Sequence, residues 1–188
     1  MRRKDRQMTQ DFGLTLVDRA EYGVLSFTGK NGEPHALPLS LARQNQTLFF
    51  HSSVSGEKVE LIEDGMPVTV VFVSDVRVPS LYSNQELAEI SKDARKIAQL
   101  GSKIFTTEFA STIVRGRIFR VENDESKIKA LHLIAQRFVP DKMPYFESAV
   151  SKALPITTVY KIEIDALSAK RKKYDTNRNE MKSSQLEP

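Results

Sequence analysis

The segment FFHSSVSGEK, residues 49–58, gathers an imidazole, three hydroxyls, a glycine and an ammonium within ten positions. These groups suit an anion. A serine before a helix, the free backbone N–H groups of its first turn and the Lys58 ammonium can converge on one phosphate monoester. Charge-assisted hydrogen bonds contribute about 1.5–3 kcal/mol each, so two or three of these would anchor the phosphate end of a ligand. Ser53 or Ser55 is placed to cap a short helix, GEKVELIED, and His51 shares a strand face with Phe49 and Ser53. The competing reading is an ordinary turn between strand and helix. His35, beside a turn, is expected at the surface, and His132 at the flank of a helix's buried face.

A second segment, HALPLSLAR (35–43), reads as one strand. Leu37, Leu39 and Leu41 alternate onto its core face, while Ala36, Pro38, Ser40 and Ala42 fall on the other. That second face reads either as an ordinary solvent-facing side or as one small enough for a flat aromatic ligand to lie against it. Pro38 has no N–H to donate, which suits an edge strand or a bulge.

Absences narrow the chemistry. With no cysteine, thiolate catalysis, zinc-thiolate sites and iron–sulfur clusters are excluded, so any redox chemistry must come from a bound cofactor. The glycines form neither a dinucleotide fingerprint nor a Walker loop, no serine sits in a nucleophile elbow, and no two of the three histidines lie at metal-ligand spacing. No metal site is expected. Nor is any apolar run long enough to span a bilayer, and no apolar region follows the charged start, so the expectation is a cytoplasmic protein without a signal peptide.

The net charge of +4 is concentrated at the ends: residues 1–6 carry a charge of +3 and residues 170–182 carry +4, leaving the body slightly acidic. This distribution argues against nucleic acid as a partner of the folded body. KRKK (170–173) reads either as part of a solvated tail or as a nucleic-acid or phosphate contact.

The elements that must position these residues are mainly strands. DFGLTLVDRA (11–20) has helical spacing, with Thr9 or Asp11 as its cap. YGVLSFTG and HALPLSLAR flank a turn at Asn31–Gly32, a second hairpin at 44–46 leads into TLFFHSS, and further strands fall at 68–76, 111–122 and 157–167. Six strands with short turns predict a small antiparallel barrel, mainly β within an α+β architecture. Helices are expected at 83–101, capped by Ser83 and Glu86 and ended by Gly101; at 123–138, capped by Asn123 or Asp124; and at 143–154, with Pro144 in the first turn. Residues 1–173 read as one domain with a helical insertion at about 77–103, and 174–188 as a polar, disordered tail.

In their order, MRRKDRQ, EYGVLSF, GEPHALPLS, LFFHSSVSGEK, FTTEFASTIVRGRI and DESKIKALHLIAQRF resemble the pyridoxamine 5′-phosphate oxidase-like flavin proteins, specifically the branch with the 5-nitroimidazole-resistance proteins. The resemblance runs through nearly the whole chain to residue 173. It implies a split β-barrel homodimer with FMN held in a groove at the subunit interface. Carried over residue by residue, Leu37, Pro38, Leu39 and Ser40 would lie along the flavin ring, with His51 at the pocket and Ser52, Ser53 and Lys58 near the phosphate. Thr106, Thr107 and Ser111 would contribute from the region facing it.

Two departures matter. The insertion at 77–103 is long for the family, and the serines of HSSVSGEK stand where the classical oxidases use an arginine. The pyridoxal-phosphate-binding residues of those oxidases have no substitute here. The expected function is therefore FMN-dependent two-electron reduction of small electron-poor compounds such as nitroaromatics, with NAD(P)H as a possible donor and His51 as proton donor or substrate contact. Two alternatives stand beside it: a flavin carrier or sensor without turnover, and a haem-binding split barrel with His51 as axial ligand.

Overall fold

The computed structural model describes residues 2–183. Its elements are β1 (Gln7–Met8), α1 (Gln10–Arg19), β2 (Gly23–Thr28), β3 (Pro34–Leu39), β4 (Ala42–Gln44), β5 (Thr47–Ser53), α2 (Glu57–Leu61) and β6 (Pro67–Arg77). There follow α3 (Asn84–Ser91), α4 (Ala94–Ile104), β7 (Glu108–Arg120), α5 (Asp124–Phe138), α6 (Phe146–Ala153) and β8 (Thr157–Lys172). All the strands belong to one antiparallel sheet in the order β3-β2-β6-β7-β8-β5-β4, with β1 added to β8.

Although consecutive in sequence, β3 and β4 occupy opposite edges of that path. The single run predicted at 35–43 therefore breaks at Ser40–Leu41, pairing its first part with β2 and its last with β5. This crossing is the seam of a split barrel: the sheet curls around its core without closing by hydrogen bonds. Leu37 and Leu39 face inward as expected and Leu41 is buried, but Ala42 is buried too, because the break restarts the alternation. Counting β1 and β4 raises the predicted six strands to eight.

Inside the curl lie Leu25, Val70, Val114, Phe50, Tyr160 and Ile162, all fully buried, with the Phe50 and Tyr160 rings stacked at 4.9 Å. One end is plugged by α1, whose Thr9 hydroxyl accepts the Phe12 N–H and whose Phe12, Leu16 and Val17 join the core. Outside, α5 begins as expected with Asn123 accepting the Ser126 N–H at 3.0 Å. Arg137 near its other end ties the seam together, donating to the carbonyls of Leu41 at 2.5 Å and of Val17 and Ala20 at 2.7 Å.

Several boundaries differ from the sequence pattern. The helix expected over 83–101 is two helices, because Asp93 accepts the N–H groups of Arg95 and Lys96 and so starts α4 anew. The Ser83–Glu86 capping box forms as predicted, but Gly101 lies inside α4, which runs on to Ile104. Pro144 sits in a 3-10 turn (Pro140–Tyr145), and α6 starts after it. Residues 170–172 are strand rather than solvated tail, since β8 continues against β7 through Phe109↔Lys172. Beyond them the chain folds back instead of being disordered: Tyr174 is buried and bridges Glu180, whose carboxylate accepts from Arg6 at 2.5 Å. The tail residues 184–188 lie outside the described residues.

Candidate functional site

Strand pairing brings the first predicted group together. Ala42 pairs with Phe49, so continuing the β4–β5 register would set Ser40 opposite His51 just where the chain leaves for β3. Here β3 is a free edge, as the missing N–H of Pro38 anticipates, and Ala36, Pro38 and Ser40 present an exposed face of small side chains. Leu37 and Leu39 stand behind them on the core face.

Along β5, alternation separates the hydroxyls. His51 and Ser53 are exposed on the outer face, whereas Ser52 is buried on the inner face and donates to the Ser53 carbonyl at 2.8 Å. The predicted cap does not form. The N-cap of α2 is Gly56, at φ +115, with no side-chain hydrogen bond, and Ser53 Oγ instead accepts the Ser55 N–H at 3.4 Å. Glycine takes this position because the chain must turn through a positive φ that a Cβ would strain.

Lys58, half-buried in the first turn of α2, is close enough to act on His51. Crowding by the protein around the imidazole, and secondly the Lys58 charge, hold the His51 pKa below its ordinary 6.5. A neutral imidazole and an ammonium therefore share one outward face with the Ser53 hydroxyl. That face can accept a proton at one point and hold an anion at another.

Thr106, Thr107 and Ser111 lie elsewhere. The β8 partner of His51 is Val159 and that of Ser111 is Lys170, which sets the two groups roughly 36 Å apart along the strand. Thr106 is buried, accepts from the Lys172 ammonium and lies 3.4 Å from the Tyr174 hydroxyl, while Thr107 is exposed. Ser111 is 7% exposed on the outer face, and its Oγ is buried without a partner. A buried hydroxyl of this kind costs free energy until it finds an acceptor.

Of the other histidines, His35 is not at the surface: its side chain is 13% exposed and stacks on Phe27 at 5.3 Å. His132 meets the Phe146 ring edge-on at 5.1 Å and lines an outer groove of about 750 Å³ under α5 that sequence reasoning missed. Its walls come from six separate elements, so no local motif announces it. Among the described residues no group of three or more His, Asp or Glu side chains could hold a metal ion, and no helix is long and apolar enough to cross a membrane.

A family model described as pyridoxamine 5′-phosphate oxidase matches residues 13–86, the stretch that contains the seam, His51 and Lys58. No curated protein matches the chain in sequence. Among solved structures, one similar protein is a candidate 5-nitroimidazole antibiotic resistance protein from Bacteroides thetaiotaomicron, with 18% identity, a TM-score of 0.65, and coverage of 87% of this chain and 84% of that one. Another is the FAD and haem binding protein from Mycobacterium smegmatis, also at 18% identity and a TM-score of 0.65, over 89% of this chain and 73% of that one. The flavocytochrome Anf3 from Azotobacter vinelandii follows at 16% identity and a TM-score of 0.64, over 88% and 68%. The sequence match over residues 13–86 and the split-barrel fold shared over most of its length make the chain similar to the pyridoxamine 5′-phosphate oxidase-like proteins.

Proposed function

We propose that the protein binds FMN between two copies of itself and uses it to reduce small electron-poor compounds, nitroaromatics among them. The observation that carries this reading is the outward face at the seam, where Lys58, Ser53 and a neutral His51 adjoin the small exposed face of the free edge strand β3. The residues fit the cofactor. Lys58 and Ser53 supply charge and hydroxyl to a phosphate, Gly56 leaves open space beside them, and Ala36, Pro38 and Ser40 leave room for a flat ring. Ser52, turned inward, supports this turn rather than the ligand.

The second group supports the homodimer. Thr106, Thr107 and the unpartnered Ser111 Oγ stand too far from His51 along the sheet to join the seam's site within one chain. A second copy can bring its own Ser111 face against the seam. Val73, 51% exposed, pairs with Ser111 on that outer face, and Tyr22, 54% exposed, shares a recess with Val73.

Bound flavin supplies the hydride chemistry. The protein's part is to hold the ring on β3, anchor the phosphate at Lys58, and present His51 to the substrate as proton donor or contact. The relatives named for FAD and haem binding support a planar cofactor in this fold. A second reading takes haem on the same face with His51 as axial ligand, which the neutral state of His51 favours.

The visible spectrum of the purified protein tests both. Flavin bands near about 375 and 450 nm that bleach with NADPH under anaerobic conditions support the reductase, whereas bands without bleaching indicate a carrier. A Soret band lost in His51→Ala would favour haem. A colourless protein that takes up neither cofactor overturns the proposal. Within the flavin reading, Lys58→Ala should weaken FMN about tenfold or more and leave riboflavin, which has no phosphate, nearly unchanged.

A further inference from the structure

The KRKK stretch is built into the sheet, and its pairing with β7 carries it to the far end of β6. There a cavity of about 370 Å³ is lined by five cations, Arg19, Arg77, Arg171, Lys172 and Lys173. Its acidic walls are Asp75 and Glu108, which leaves a formal excess of three positive charges.

Both carboxylates are already engaged. Glu108, 3% exposed, bonds to Arg77 and accepts the Tyr174 N–H at 2.7 Å. Burial pushes its pKa up, but Arg77 and the Tyr174 N–H outweigh that and hold it below the ordinary value. Asp75 accepts from Arg19 at 2.5 Å and lies 4.0 Å from Arg171. Lys172 is held differently. Its half-buried ammonium donates to the neutral Thr106 hydroxyl and stands 5.6 Å from the centre of the Tyr174 ring. An ammonium partly withdrawn from water and given neutral acceptors is incompletely compensated, and an anion would complete it.

The backbone also departs from regularity at this point. Register slips between Ser74 and Arg77, and Asp75 takes φ +56. A bulge of this kind re-aims the side chains around it, here directing Asp75 and Arg77 to the cavity.

We propose that this cavity binds a small molecule through a phosphomonoester or diphosphate group, at a site separate from the one at Lys58. Three guanidinium forks match the oxygens of a phosphate, and the charge excess matches a di- or trianion better than a single carboxylate. Its lining residues all belong to one chain and lie at the other end of β8 from Lys58, and the site touches the flavin reading only through Thr106, which Lys172 meets. A phosphorylated dinucleotide and a phosphorylated substrate share this chemistry, and the test separates them.

Titration calorimetry of the full chain with inorganic pyrophosphate, at about 0.15 M chloride so that exposed lysines are screened, should find binding at this site. Lys172→Gln should weaken it about tenfold, while Lys58→Ala leaves this component unchanged. Should Lys172→Gln fail to fold, Lys173→Gln carries the same expectation at a smaller loss of about threefold. Displacement of pyrophosphate by NADPH but not NADH assigns the site to a 2′-phosphorylated dinucleotide; displacement by neither supports a phosphorylated substrate. No binding to the wild type overturns the proposal, and so does binding that Lys58→Ala removes and the β8 variants keep.

Discussion

The two ends of β8 hold cations in opposite settings. Near Thr157 and Val159, Lys58 acts beside a neutral histidine and a serine, within a turn of ten consecutive residues. At the Lys172 end, five cations meet two carboxylates, drawn from α1, β6, β7, β8 and the residue that follows it. The first is a sequence-local arrangement on an exposed turn. The second exists only through strand pairing, and its charges are only partly offset by a buried Glu108 and a bulged Asp75. The difference teaches that a short motif can announce an anion site, while a site assembled across strands stays silent until register is fixed.

The largest expected effect breaks the β7–β8 pairing between the two ends. A Cβ on Gly116 would sit 2.1 Å from the Glu163 carbonyl oxygen, beside the register shift between β7 and β8. Gly116→Val must push these strands apart, and a loss of about 3 kcal/mol or more in urea unfolding is expected. Retained stability would mean that the β7–β8 pairing is not what holds the basic residues in place.

Next in size is the clamp on the local end. Arg137→Met leaves the carbonyls of Leu41, Val17 and Ala20 without that donor and loosens the seam that sets β3 beside β5. Chemical denaturation should show a loss of about 2–3 kcal/mol, together with weaker FMN uptake and little change in pyrophosphate binding. Equal losses at both sites would erase the distinction between the two ends.

The smallest effects are electrostatic. Because the folded protein disfavours the charged form of His51, its contribution to stability is fully present above pH 6.5 and is lost as the pH falls from there through the lowered folded value. NMR titration should place the His51 midpoint below 6.5, and Lys58→Ala should move it upward. A midpoint indifferent to Lys58 would separate the two groups. Where the tail meets α3, the Ser83 N–H and, secondly, Arg178 hold the Glu86 pKa down to about 2, so the stability of that contact is present above 4.5 and lost as the pH falls through about 2. Arg178→Ala should raise the Glu86 midpoint with little change in global stability, again by NMR titration.

Much of this was legible in the residues themselves. The helix caps at Thr9, Ser83 and Asn123 each form, because a cap needs only a hydroxyl or amide three residues before an N–H. Pro38 on an edge strand, and the inward Leu37 and Leu39, follow from backbone chemistry and the period of two in a strand. Asp93 carried a signal of the same kind that the helical periodicity of 83–101 masked. Lys58 and His51 could be singled out because side-chain type and local spacing already bring them near one another.

What the sequence by itself determined is thus the inventory: an antiparallel β protein without thiol chemistry, with capped helices and one short motif suited to an anion. Tertiary structure decided the rest. It split one apparent strand at Ser40–Leu41 and sent the halves to opposite edges, turned Ser52 inward, made Gly56 rather than a serine the cap of α2, and carried KRKK into a charged recess. The physical reason is that caps and turns depend on groups a few residues apart, whereas register and the seam are set by burial of a core whose partners lie a hundred residues away.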